Sequence, residues 1–125
     1  MAENKKILII DDDKFLLDMY AMKFDGKGFT IESSMNASDS LAKIVGGYHP
    51  DVILLDLVMP GLDGFGFLDE MKKKELMNSI KVIVFSNLGQ KEDIEKAMKM
   101  GAAGYIIKAS STPSEVVGKV NEILA

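Results

Sequence analysis

Ile7-Leu8-Ile9-Ile10-Asp11-Asp12-Asp13 is an apolar run that ends in three carboxylates, and the pattern recurs three more times along the chain. Val52-Ile53-Leu54-Leu55 runs into Asp56, Val82-Ile83-Val84-Phe85 into Ser86, and Tyr105-Ile106-Ile107 into Lys108. Short apolar runs separated by helix-like segments read as parallel strands buried on both faces. In an open α/β sheet the functional crevice lies beyond the carboxyl ends of such strands. Carboxylates, a hydroxyl and an amine are therefore predicted to converge on one sheet edge.

The segments between these runs supply the helices. Phe15, Leu16, Met19 and Met22 make an apolar face at helical spacing, closed by Asp25-Gly26-Lys27-Gly28. Phe29 to Ser33 alternates as a strand suited to a sheet edge, and Ser38 is placed to cap a helix carrying Leu41, Ile44 and Val45 before Gly46-Gly47. The turn-rich Met59-Pro60-Gly61-Leu62-Asp63-Gly64 leads into a stripe of Phe65, Leu68 and Met71. Gln90 to Met100 predicts a fourth helix through Ile94, Ala97 and Met98, stopped by Gly101. Thr112-Pro113-Ser114-Glu115 reads as a capping box with proline in the first turn, and Val116, Val117, Val120, Ile123 and Leu124 line one face of a last helix. The methionines at 19, 22, 71, 98 and 100 read as core filler. The sum is (βα)5, one doubly wound α/β domain over 1–125 with a five-stranded parallel sheet and helices on both faces.

Composition narrows the class. The chain has 125 residues, 47% of them hydrophobic, and only three prolines, which suits one compact core and leaves no room for two ordinary domains. A net charge of −4 disfavours the broad basic face that phosphate-backbone binding requires. The absence of cysteine removes disulfides, thiolate metal sites and thiol nucleophiles. Met1 to Lys6 leads straight into a strand without a secretory apolar region, and no apolar stretch approaches the roughly 20 residues needed to span a bilayer. A soluble, cytoplasmic protein is expected, without direct contact to nucleic acid or membrane.

Crowded carboxylates repel one another and raise their own pKa values unless a cation sits among them. An all-oxygen donor set favours Mg²⁺, or Mn²⁺, and Mg²⁺ uses few carboxylates, so Asp11, Asp12 and Asp56 suffice. Asp56 stands alone at the end of its strand, so its free oxygen is the candidate nucleophile, forming an acyl phosphate. The Lys108 ammonium and Ser86 hydroxyl complete a clamp for phosphoryl oxygens. Other polar residues have simpler readings. Asp13 reads as a cap for the first helix, and His49, in His49-Pro50-Asp51, as a plain loop residue.

The ordered set Asp11-Asp12, Asp56 with Met59-Pro60-Gly61-Leu62-Asp63-Gly64, Ser86, and Gly101-Ala102-Ala103-Gly104-Tyr105-Ile106-Ile107-Lys108 resembles a response-regulator receiver domain, the CheY-like fold of two-component phosphorelay signalling. The resemblance covers essentially the whole chain and implies a strand order of 2-1-3-4-5. It implies that Asp56 accepts a phosphoryl group from a histidine kinase or phosphotransfer protein. Asp11, Asp12, Asp56 and the Val58 carbonyl would hold Mg²⁺, and Ser86 and Tyr105 would form a switch pair that remodels the surface of helix 4, strand 5 and helix 5 for a downstream protein. It further implies slow self-dephosphorylation, and a monomer or a weak dimer that forms on phosphorylation. Read without the resemblance, Tyr105 is a half-buried aromatic.

The chain departs from the family pattern in places. Ala109 follows Lys108 where such domains usually carry a cis proline, so a trans bond and a differently built lysine loop are expected. Asn87 follows Ser86 where a smaller residue is usual, and Val58 and Leu88 are expected to bring apolar side chains near the phosphoryl position and limit water access. Other classes fit less well. A haloacid-dehalogenase-type phosphatase also uses a strand-end Asp with Mg²⁺, but on its first strand, followed by Thr or Val rather than Lys14-Phe15. A flavodoxin-like carrier needs a Ser/Thr/Gly-rich phosphate loop where this chain has an acidic trio. A receiver-like module that takes no phosphate would not need Asp56, Ser86 and Lys108 together.

Overall fold

The computed structural model describes residues 4–125. The strands are β1 (Lys5–Ile10), β2 (Phe29–Ser34), β3 (Val52–Leu55), β4 (Lys81–Ser86) and β5 (Gly104–Ile107). They alternate with α1 (Lys14–Phe24), α2 (Ala37–Val45), α3 (Gly64–Lys73), α4 (Lys91–Lys99) and α5 (Pro113–Leu124). All strand pairs are parallel, in the order β2-β1-β3-β4-β5, the arrangement expected from the sequence. The expectation that Met1 to Lys6 leads straight into a strand falls in part on Met1–Glu3, which lie outside the described residues; Lys5 and Lys6 open β1.

The continuous apolar runs are explained by two cores, one on each face of the sheet. Leu8, Ile10, Ile53, Leu55, Val82 and Val84 point to one core, shared with Ile44, Phe67, Leu68, Met71 and Ala97 of α2, α3 and α4. Ile7, Ile9, Val52, Leu54, Ile83 and Phe85 point to the other, shared with α1 and α5. Side chains alternate across a strand, so only residues apolar at every position satisfy both cores. The chain leaves β1 toward β2 and later returns to the far side of β1 at β3. That reversal of winding opens a crevice at the carboxyl ends of β1 and β3.

α1 turns a different face to the sheet from the one its spacing suggests. Leu17, Tyr20 and Phe24 are buried, whereas Phe15 and Met22 are each 78% exposed and Met19 is 39% exposed. The helix carries two apolar stripes, and the aromatic one has ready partners. Tyr20 meets Phe85 edge-on at 5.0 Å between ring centroids, and Phe24 meets Phe29 at 4.9 Å. The core-filler reading of the methionines therefore holds for Met71, fully buried, and fails for Met19, Met22 and Met98, which are exposed. α2 starts earlier than expected: Asn36, not Ser38, is its cap and accepts the Asp39 N–H at 2.7 Å. The caps of α1 and α5 are as read from sequence. Asp13 accepts the Leu16 N–H, and Thr112 and Glu115 bond reciprocally.

Candidate functional site

Each chemically potent side chain lies at the end of its strand, within one open cleft of about 430 Å³. Asp11 and Asp56 leave the ends of β1 and β3 and are almost fully buried, while Asp12 is exposed at the rim. The start of α3 packs tightly against the chain that carries Asp56. Gly64, the first residue of α3, lies so near the chain after β3 that a Cβ there would fall 2.5 Å from the Asp56 carbonyl oxygen. The Gly64 N–H donates to the Leu57 carbonyl at 3.1 Å, which ties the start of α3 to the residue after Asp56.

The polar contacts define the electrostatics. Lys108 Nζ donates to Asp11 Oδ2 at 2.6 Å and stands 3.5 Å from Asp56 Oδ2. Asp11 Oδ1 accepts the Asp13 N–H at 2.9 Å, and Asp56 Oδ1 accepts the Val58 N–H at 3.4 Å. Burial pushes the Asp11 carboxyl above the ordinary carboxylate range, against the opposing pull of Lys108 and the Asp13 amide. One carboxylate oxygen each from Asp11, Asp12 and Asp56 lies within 4.8 Å of the others. An all-oxygen cluster with a buried member that burial disfavours as an anion suits a hard divalent cation.

Ser86 is fully buried, and its Oγ accepts the Leu88 N–H at 3.3 Å. Tyr105 is half-buried, and its hydroxyl donates to the Leu88 carbonyl. One peptide segment thus links the hydroxyl in the cleft to the aromatic ring on β5. Burial raises the Tyr105 pKa, with smaller contributions from the charges of Asp93 and Asp56. Val58, Asn87 and Leu88 border the same cleft, as the sequence suggests. No cis peptide bond occurs among the described residues, and Lys108–Ser110 form a short 3-10 turn, so the lysine loop differs from a cis-proline loop as expected.

The expected residues therefore come together: Asp11, Asp12, Asp56, Ser86 and Lys108 line one cleft. Two features were not read from the sequence. The Ala109 N–H donates to Asn87 Oδ1 at 2.9 Å, and His49 Nε2 lies 3.0 Å from Ser79 Oγ at the opposite end of the sheet. The first had a signal, since both of its residues depart from the family pattern; the second joins loops that no local spacing connects.

The family model for the response regulator receiver domain matches residues 7–121. The chain belongs to that family, whose members are phosphoacceptor signalling domains of two-component systems. The phosphate regulon transcriptional regulatory protein PhoB of Pseudomonas aeruginosa is 32% identical over 120 residues, 96% of this chain and 52% of that protein. The chemotaxis protein CheY of Halobacterium salinarum is 29% identical over 120 residues, 96% of this chain and 97% of that protein. The chain spans about half the length of PhoB and of several other transcriptional regulators that it matches. Among solved structures, a CheY-like receiver domain protein from Methanospirillum hungatei superposes with a TM-score of 0.87 at 28% identity, covering 98% of this chain and 94% of that one. The Francisella response regulator 1452 receiver domain has a TM-score of 0.87 at 29% identity, covering 97% of each chain.

Proposed function

We propose that residues 1–125 form a single receiver domain that acts as a phosphorylation-dependent switch, with Asp56 as the phosphoacceptor. The observation that carries this reading is the meeting of three acids, a buried hydroxyl and an amine in one cleft of a receiver-family chain. An Asp56 carboxylate oxygen attacks the phosphorus of a phosphohistidine on a kinase or phosphotransfer protein. The new P–O bond forms as the P–N bond breaks, and the imidazole leaves with a proton from solvent.

Asp11, Asp12, Asp56 and the Val58 carbonyl would hold Mg²⁺, or Mn²⁺. When bound, the ion supplies charge neutralisation for the phosphoryl oxygens. Lys108, already within reach of both buried carboxylates, pairs with a phosphoryl oxygen, and the Ser86 hydroxyl donates to another. The Ser86–Leu88–Tyr105 linkage carries that change toward β5. A second concavity, of about 590 Å³, opens between β5 and α5 beside Tyr105, Glu115 and Lys119, and supports a downstream protein as the reader of the α4–β5–α5 face. Among the described residues no helix is long and apolar enough to cross a membrane. The acidic charge balance supports a chain that makes no direct contact with nucleic acid, and family membership supports a cytoplasmic protein that is a monomer or a dimer forming weakly on phosphorylation.

Incubation with acetyl phosphate and Mg²⁺, followed by intact mass, tests the assignment. Wild type should gain one phosphoryl group, and Asp56→Asn none while keeping its fold by circular dichroism. Modification that survives in Asp56→Asn would sink the assignment. Steady phosphate release without an adduct would favour a phosphatase, and no reaction a bare binding module.

A further inference from the structure

Beyond that reading, and resting on it, we propose that Asn87 is a positioning residue for Lys108, acting through the Ala109 amide. The β4–β5 pairing ends at Ser86 opposite Ile107. One residue further on, where no backbone ladder continues, the Asn87 side chain takes its place. Its Oδ1 accepts the Ala109 N–H at 2.9 Å. Lys108 is thereby held between the last ladder pair on one side and this cross-loop bond on the other.

Both ends of the bond adjoin the phosphoryl clamp: Asn87 follows Ser86, and Ala109 follows Lys108. The same pair contains two of the departures from the family pattern. A proline after the lysine would have no N–H to donate and would restrict the loop through its ring. Alanine leaves a free donor, and asparagine supplies the acceptor that holds it. The bond is solvent-exposed and contributes little to global stability. Its effect falls on aim, because Lys108 Nζ must sit 2.6 Å from Asp11 and 3.5 Å from Asp56 at the end of a flexible stem. A shift of about 1 Å in a charge-positioning group can reduce a rate by one to two orders of magnitude.

The test uses the full chain. In Asn87→Ala, hydrogen exchange at the Ala109 amide should accelerate at least tenfold, and the Asp11 carboxyl ¹³C resonance at pH 7 should shift as Lys108 loses its seat. The saturating rate of Asp56 phosphorylation by acetyl phosphate should fall roughly tenfold, with Mg²⁺ affinity within about twofold of wild type. In an Ala109→Pro background the donor is gone, so Asn87→Ala should add nothing further. Unaltered exchange at Ala109 would overturn the bond. Faster exchange with an unshifted Asp11 resonance and an unaltered rate would overturn its positioning role. An equal loss of rate in the proline background would show that Asn87 acts directly in the cleft, which also overturns the proposal. The exchange and ¹³C measurements need no phosphodonor, so a wild-type chain that fails to accept phosphate would count against the phosphoacceptor assignment and not against Asn87.

Discussion

The two halves of the cleft are built on different foundations. Asp11 and Asp56 stand on β1 and β3, strands paired on both sides and buried in both cores. Ser86 ends β4, a strand likewise paired on both sides, whereas Lys108 follows the edge strand β5, and the loops beyond the two are joined by the Leu88 contacts and the Asn87–Ala109 bond. The acidic half is rigid and carries an electrostatic load, because Asp11 is held as a buried carboxyl against the cost of burial. The loops of the hydroxyl–amine half are joined by a few part-buried or exposed hydrogen bonds, which makes them the half expected to rearrange. A fixed binding half beside an adaptable half is what a two-state signalling element requires.

The largest test of this division removes the amine. Lys108→Met leaves two buried carboxylates without their cation, and breaking a buried ion pair costs about 3 kcal/mol. Urea unfolding at pH 7 in Mg²⁺-free buffer should show that loss, and saturating Mg²⁺ should recover part of it by binding only the folded acidic pocket. An unaltered midpoint would mean that the acidic half tolerates its charge alone, and the comparison would collapse.

How much of this was legible beforehand follows the same division. The strand-end residues were readable because an apolar run that stops at a polar residue leaves few alternatives for where that residue sits. Asp13 and Thr112 were readable because capping is local chemistry. The face of α1 was not, because Phe15-Met19-Met22 and Leu17-Tyr20-Phe24 are both helical stripes, and only contact with Phe85 and Phe29 decides between them. The Asn87–Ala109 bond was legible only as two oddities, since the pairing of β4 with β5 brings together residues 22 apart in sequence.

A smaller effect concerns the covering of the cleft. Hydrolysis of an aspartyl phosphate needs a water in line with phosphorus, and Val58 and Leu88 offer such a water few partners. Val58→Asn combined with Leu88→Glu introduces polar groups beside the cleft, and the phosphorylated chain should then decay roughly tenfold faster at fixed Mg²⁺. Decay followed by mass decides it. An equal or slower rate would assign control of water access to the Lys108–Ser110 turn, and so to the adaptable half.

The smallest effect, and the one that distinguishes the halves by sign, comes from Asp11→Asn. The folded-state pKa of Asp11 lies above its unfolded value, so ionised Asp11 opposes folding throughout the range above that raised pKa. As pH falls through the raised pKa toward the unfolded value, the folded state takes up the proton first and the penalty is relieved. Asparagine removes the charge while keeping an oxygen for the Asp13 N–H, and Lys108 retains Asp56 nearby. In Mg²⁺-free buffer the variant should therefore melt higher than wild type at pH 7, and the difference should shrink on acidification. Lys108 already offsets part of the burial cost, which keeps the gain modest. With Mg²⁺ the order should reverse, because wild type gains a ligand-linked stabilisation that the variant has lost. Thermal unfolding at several pH values, with and without Mg²⁺, reads both signs. A variant less stable than wild type at pH 7 without Mg²⁺ would show that the Lys108 contact outweighs burial, and that the acidic half carries no stored load for a cation to relieve.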